Sequence, residues 1–145
     1  MAAVVVLVSD QYVKARIVAS LPAGASVPLI PGLVSLTHVQ NRGVAFGLLA
    51  GAAPLLPVLA VLTLVLLLAY NRGRQFSRPA AVGVACMAGG AVGNLVDRFR
   101  LGHVVDYVDV HIWPVFNLAD VAIVIGAGLL LVTFARGERS TSPGR

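Results

Sequence analysis

Apolar residues gather along this chain in four long runs separated by short polar stretches, and the lengths of those runs predict helices. The cleanest extends from Leu48 to Tyr70 without a charge. At 1.5 Å per residue it is long enough for a hydrocarbon layer of roughly 30 Å. Pro54 and Pro57 near its start place the beginning of regular helix there, so the span is expected over 52–70. Two further runs predict spans at 79–96 and 116–135, the latter carrying one charge, Asp120, close to its beginning. The first run, 2–21, is interrupted by Asp10, Lys14 and Arg16. Its positive charges follow the apolar stretch, whereas a secretory signal peptide carries them before it, so it reads as a polar-studded first span. The segment from Pro22 to Gly47 is rich in Gly, Pro and β-branched residues, and Val34 to Val39 fits a strand. Asp97 to Val115 is a shorter connection, with Tyr107, His111 and Trp113 suited to an interfacial belt. Residues 140–145 read as a disordered polar tail.

Composition turns these runs into a membrane assignment. Hydrophobic residues make up 58% of the 145-residue chain and charged residues 12%, about half the charge of an ordinary globular domain. A soluble domain of this size leaves roughly a third of its surface wet and has no room to hide so much apolar area. The net charge of +5 does not point to nucleic acid, because the basic residues sit at the edges of apolar runs, where anionic headgroups meet them. Three arginines and no acid lie in the link Asn71 to Arg78, and Arg136, Arg139 and Arg145 follow the last run. The positive-inside rule then puts both termini in the cytoplasm and the segments Pro22–Gly47 and Asp97–Val115 outside. The expected architecture is a single-domain, all-α polytopic membrane protein of four transmembrane helices.

The acids are scarce and clustered. Of six, five are aspartates, and Asp97, Asp106, Asp109 and Asp120 fall within 24 residues at the outer ends of the third and fourth spans. A charge at membrane depth costs at least ~2.5 kcal/mol on insertion scales, which makes a carboxylate there a functional candidate. An aspartate paired with a nearby arginine merely anchors a helix end, but Asp120 has no basic residue between Arg100 and Arg136. A second carboxyl sharing its proton would serve as its partner. That is aspartyl-protease chemistry: two close carboxyls cannot both ionise, so one acts as acid while the other activates water. Sequence spacing alone does not bring residues fourteen apart together.

Five motifs carry a resemblance. Gly89-Gly90-Ala91-Val92-Gly93-Asn94-Leu95-Val96-Asp97-Arg98 is similar to the GGAxGNxxDR signature of the lipoprotein signal peptidases. Val104 to Asp109 resembles their VVDFxD, Phe116 to Asp120 their FNxAD, Asn41 to Gly47 their NxGxAFG, and Asp10-Gln11 with Lys14 their DQxxK. The motifs run in family order over nearly the whole chain. The resemblance implies Asp106 and Asp120 as the catalytic pair, with Asn117 orienting Asp120 from the same helix face. It further implies that Asn94, Asp97 and Arg98 shape the site, and that Asn41 and Arg42 contact substrate or brace the outer segment. Asp10 and Lys14 would form a structural ion pair or clamp. The implied fold adds a small extracytoplasmic β-rich cradle to the four helices. The implied activity is removal of the signal peptide from diacylglyceryl-modified prolipoproteins just before the lipidated cysteine, by a monomer in the bacterial inner membrane, without cofactor or metal.

Other features have plainer readings. Ala85, Gly89 and Gly93 form a small-residue stripe suited to close helix packing. His38, His103 and His111 lack metal-ligand spacing and read as interfacial or solvated, Cys86 reads as a small core residue, and Asp109 as a solvated or Arg-paired acid. A proton-coupled transporter or channel subunit using the same aspartates is the alternative function.

Overall fold

A computed structural model describes residues 1–42 and 77–135. The expected second span at 52–70, the Gly43–Gly47 part of the upstream motif and the polar tail lie outside the described residues. Among the described residues there are three helices and three strands: α1 (Ala2–Ser20), β1 (Ser26–Ile30), β2 (Val34–Asn41), α2 (Arg78–Leu101), β3 (Val104–Asp109) and α3 (Leu118–Ala135).

Local chemistry sets the ends of these elements. α2 opens with Pro79 in its first turn, where a missing N–H is harmless, and closes on Gly102 in the left-handed conformation (φ 75°), whose N–H bonds back to Arg98 O at 3.1 Å. The helix therefore runs past the expected limit at residue 96, and Asp97, Arg98 and Arg100 are helical rather than part of a loop. Among the described residues it is the one helix both long and apolar enough to cross a membrane.

The strands form an antiparallel sheet in the order β1-β2-β3. Pairing sets Ser26 opposite Thr37, and Val39 and Asn41 opposite Asp106 and Val104. The strand expected at 34–39 is the middle one. After β3 the chain loops out and hooks back at Phe116, whose carbonyl accepts N–H bonds from Tyr107 (3.0 Å) and Val108 (2.8 Å). This hook delivers the start of α3 beside β3.

Small residues let the helices touch. A methyl at Gly89 would meet Ala3 O of α1 at 2.6 Å, and one at Gly93 would meet Asp10 Oδ2 at 2.6 Å. Gly83 and Gly90 lie instead against α3, at the carbonyls of Gly126 and Ala119. The stripe thus packs helices, as its spacing suggests, and adjacent glycines serve two different neighbours. Val4, Val5 and Val8 on α1 and Val124, Ile125, Leu131 and Val132 on α3 are exposed, apolar faces that suit lipid. A buried apolar group, Ile17, Val105 and Tyr107, ties α1 to β3 beneath the sheet.

Candidate active site

The polar residues that these apolar helices carry converge at the junction of α1, α2, β3 and the start of α3. Asp10, Lys14, Asp97, Asp106 and Asn117 are all at most 3% exposed, and Asn94 is buried beside them. Buried polar groups of this kind persist only when satisfied.

One half of the network is ionic. Lys14 Nζ lies 2.9 Å from Asp10 Oδ2 and 2.9 Å from Asp97 Oδ2, and donates to Asn94 Oδ1 at 2.9 Å. An ammonium has three protons and no acceptor, so these three partners satisfy it completely. Gln11 Nε2 adds bonds to Asp97 Oδ1 (2.9 Å) and Gly93 O (3.1 Å). The Asp97 carboxylate also accepts the N–H of Val105 at 3.1 Å, fixing β3 against α2. The clamp expected of Asp10 and Lys14 is there, and it includes Asp97.

The other half holds the paired carboxyls. Asn117 is not on the helix face with Asp120; it is the residue that caps α3. Its Oδ1 accepts the Asp120 N–H at 3.0 Å while Asp120 Oδ2 accepts the Asn117 N–H at 3.2 Å, a reciprocal capping box. The remaining early N–H groups of α3 are also bound, Leu118 N to Tyr107 Oη (3.1 Å) and Ala119 N to Asp10 Oδ1 (3.0 Å). The Asn117 side-chain N–H₂ then donates to Asp106 Oδ1 at 2.7 Å and to Asn94 Oδ1 at 3.1 Å. Asn94 Nδ2 donates to Asp120 Oδ1 at 2.8 Å, and Asn41 Nδ2 to Asp106 Oδ2 at 2.8 Å. Asp106 from a strand and Asp120 from a helix start are thereby held on either side of one asparagine.

Burial pushes the Asp106 carboxyl up to about 6, with the nearby Asp120 charge adding to the push; the Asn41 and Asn117 amides and the charge of Lys14 pull the other way. Asp106 therefore keeps its proton about two pH units further than an exposed aspartate, while Asp120 is only half-buried.

Other expected site residues lie further out. Arg98 is half-buried on α2 and donates to Asn94 O at 3.3 Å, and Arg42 is exposed directly after β2. Asp109 is apart from the pair, accepting from the His111 N–H (2.8 Å) and Thr37 Oγ1 (3.1 Å), which hold its carboxyl below the usual range; no arginine pairs with it among the described contacts. Two readings need correction. His38 is buried, 4% exposed, with Nδ1 bonded to Leu21 O at 2.7 Å, because the turn after α1 folds over it. Tyr107 is buried rather than interfacial, its hydroxyl spent on α3, and burial pushes it up to about 12. Gln11 was visible within a motif but had no role until α2 supplied its partners. Among the described residues no three His, Cys, Asp or Glu side chains are grouped to hold a metal ion.

Lipid-suited helices enclosing a braced carboxyl pair are the make-up of an aspartic-type membrane peptidase. The family model described as signal peptidase (SPase) II matches residues 2–136, and the chain belongs to that family. It is 43% identical over 135 residues to the lipoprotein signal peptidase of Halothermothrix orenii, covering 93% of each chain. It is 46% identical over 127 residues to that of Syntrophomonas wolfei, covering 88% of this chain and 85% of the relative. A solved structure described as a bacterial membrane enzyme, determined by the in meso method, superposes with a TM-score of 0.83 at 29% identity, covering 99% of this chain and 91% of that one. Membership of this family leaves the transporter alternative without support.

Proposed function

We propose that this chain is an intramembrane aspartyl endopeptidase that removes the signal peptide from bacterial prolipoproteins, with Asp106 and Asp120 as its catalytic residues. The observation that carries the reading is the pair itself: two carboxyls from different elements, both bonded to Asn117, one deeply buried and one half-buried.

The chemistry follows from that asymmetry. Asp106, which burial favours in its protonated form, donates to the scissile carbonyl oxygen; Asp120 takes a proton from water as the water oxygen bonds to the carbonyl carbon. The tetrahedral diol then collapses. The C–N bond breaks, the amine nitrogen takes the proton held by Asp120, and a diol hydroxyl returns its proton to the pair. One proton is shared before and after, and no covalent enzyme intermediate forms.

The rest of the reading concerns placement. The chain is a single membrane-embedded domain of four spans, acting as a monomer, with both termini cytoplasmic and the sheet as a cradle on the outer face. The pair then lies at the outer edge of the hydrocarbon, open on one side to acyl chains and on the other to water. A substrate already embedded in the bilayer reaches it by lateral diffusion. Two acyl chains on the substrate cysteine add about 0.8 kcal/mol per buried methylene in the ideal limit, enough to set the register of the bond cut just before that cysteine.

The test is a gel-shift cleavage assay with matched diacylglyceryl-modified and unmodified precursors in one detergent, followed by mass spectrometry of the new amino terminus. The modified precursor is expected to be cut before its cysteine and the unmodified one poorly or not at all. Equal rates, or a cut elsewhere, would refute the substrate assignment.

A further inference from the structure

We infer that Lys14, beyond anchoring an ion cluster, is a positioning residue for the reaction: its ammonium fixes the amide of Asn94 in the orientation that presents an N–H to Asp120. The inference rests on the reading of Asp106 and Asp120 as the catalytic pair, and it concerns a residue that touches neither.

The directions of the hydrogen bonds carry the argument. Lys14 can only donate, so the Asn94 atom 2.9 Å from its Nζ must be the carbonyl oxygen. With Oδ1 held there, the Nδ2 of Asn94 is left facing Asp120 Oδ1 at 2.8 Å. Turning the amide over would set its N–H₂ against two donors, Lys14 Nζ and Asn117 Nδ2, and its oxygen against a carboxylate oxygen. The same oxygen accepts from Asn117 Nδ2, which also donates to Asp106 Oδ1 at 2.7 Å. A single donor-only group thus sets the polarity of a chain that reaches both carboxyls, by way of Asn94 to Asp120 and by way of Asn94 and Asn117 to Asp106.

An ion-pair role alone does not account for this arrangement. Asp10 and Asp97 use two of the three ammonium protons, and the third is spent on a neutral amide whose other end meets Asp120. Buried ion clusters are in any case poor sources of net stability.

The charge balance of the cluster supplies a clean test. Two carboxylates and one ammonium sum to a formal −1, and the double variant Asp10→Asn/Lys14→Met, with Asp97 alone charged, keeps that −1 while deleting the bond to Asn94. Asp10→Asn alone retains Lys14 and its bond. Both are measured as full-length chain in detergent, beside wild type, Lys14→Met and Asp120→Asn, for kcat and KM on a diacylglyceryl-modified precursor and for thermal unfolding. The expected result is a kcat for the double variant about thirtyfold or more below that of Asp10→Asn, the size of effect that misplacing a reacting group by an ångström produces, with KM changed little. The double variant is expected to remain folded even where Lys14→Met does not. Equal kcat values for the double variant and Asp10→Asn would overturn the inference, as would a loss confined to KM or matched by a parallel fall in unfolding temperature. Cleavage by Asp120→Asn would instead signal that the catalytic pair itself is misassigned.

Discussion

Replacing Asp106 by Asn should abolish cleavage and, above neutral pH, make the protein more stable. The buried carboxyl holds its proton up to about 6 against 3.8 when exposed. At 1.36 kcal/mol per pH unit, ionising it inside the fold costs about 3 kcal/mol once pH exceeds both values. Between 3.8 and about 6 the folded state carries the extra proton, so wild-type stability falls as pH rises through that window and is free of the penalty below it. An asparagine never ionises and escapes the penalty. It has its own defect: Asp106 accepts Asn117 Nδ2 on one oxygen and Asn41 Nδ2 on the other, and an amide replaces one acceptor with a donor. That mismatch costs about 1–2 kcal/mol. The net expectation is a variant less stable than wild type by about 1–2 kcal/mol below pH 4 and more stable by a similar amount above pH 7. The curves should cross near pH 5. At about 3 °C per kcal/mol, thermal unfolding in detergent across a pH series resolves the crossing. A difference of constant sign, or one that grows toward acid, would refute the account of Asp106 as a carboxyl that burial holds protonated; cleavage at near wild-type rate would refute its catalytic role.

Asp120→Asn should likewise remove cleavage with membrane insertion intact, whereas Asp109→Asn, whose carboxyl binds Thr37 and His111 rather than the pair, should keep substantial activity in the same assay. Gly90→Ala drives a methyl onto the Ala119 carbonyl, so it should destabilise the protein by about 1–3 kcal/mol in a thermal melt and lower kcat by shifting the start of α3; a neutral melt would contradict the packing. Chelator treatment and Cys86→Ala should both leave turnover unchanged, and a loss reversed by added zinc would overturn the carboxyl-pair chemistry.

The helices Ala2–Ser20 and Leu118–Ala135 and the motifs were legible because they are local. A long apolar run is its own signal, and so was an acid inside one with no basic residue near it, Asp120. That α2 continues as helix through Asp97 to Leu101 was hidden because three charges, Asp97, Arg98 and Arg100, break the apolar run there; its termination by Gly102 depends on a left-handed residue and not on hydropathy. β1 and β3 escaped detection as strands because their pairing with β2 is a tertiary event, and β3 consists of residues quoted for their chemistry. The N-x-x-D spacing of Asn117 and Asp120 is a capping signal, and reading it as such would have put Asn117 before the helix instead of on it. Nothing local could reveal that His38 and Tyr107 are buried, since each is covered by chain distant in sequence.

The glycines and the acids, which look like separate features of α2, are one device. Asn94 and Asp97 follow Gly89, Gly90 and Gly93 on the same helix, and Gly93 lies against the carboxylate of Asp10. An ionised group facing lipid has no partner, so a polar site inside apolar helices requires backbones close enough for the groups to satisfy one another. Side chains at these three positions would push α1 and α3 outward by an ångström or more. The contacts of 2.9 Å from Lys14 to Asp10, Asp97 and Asn94 would open, and the Asn94 bond to Asp120 with them. The packing stripe in this sense serves the polar site: it makes room not for substrate but for the buried carboxylates of Asp10 and Asp97 to be held against the Lys14 ammonium and the Asn94 amide.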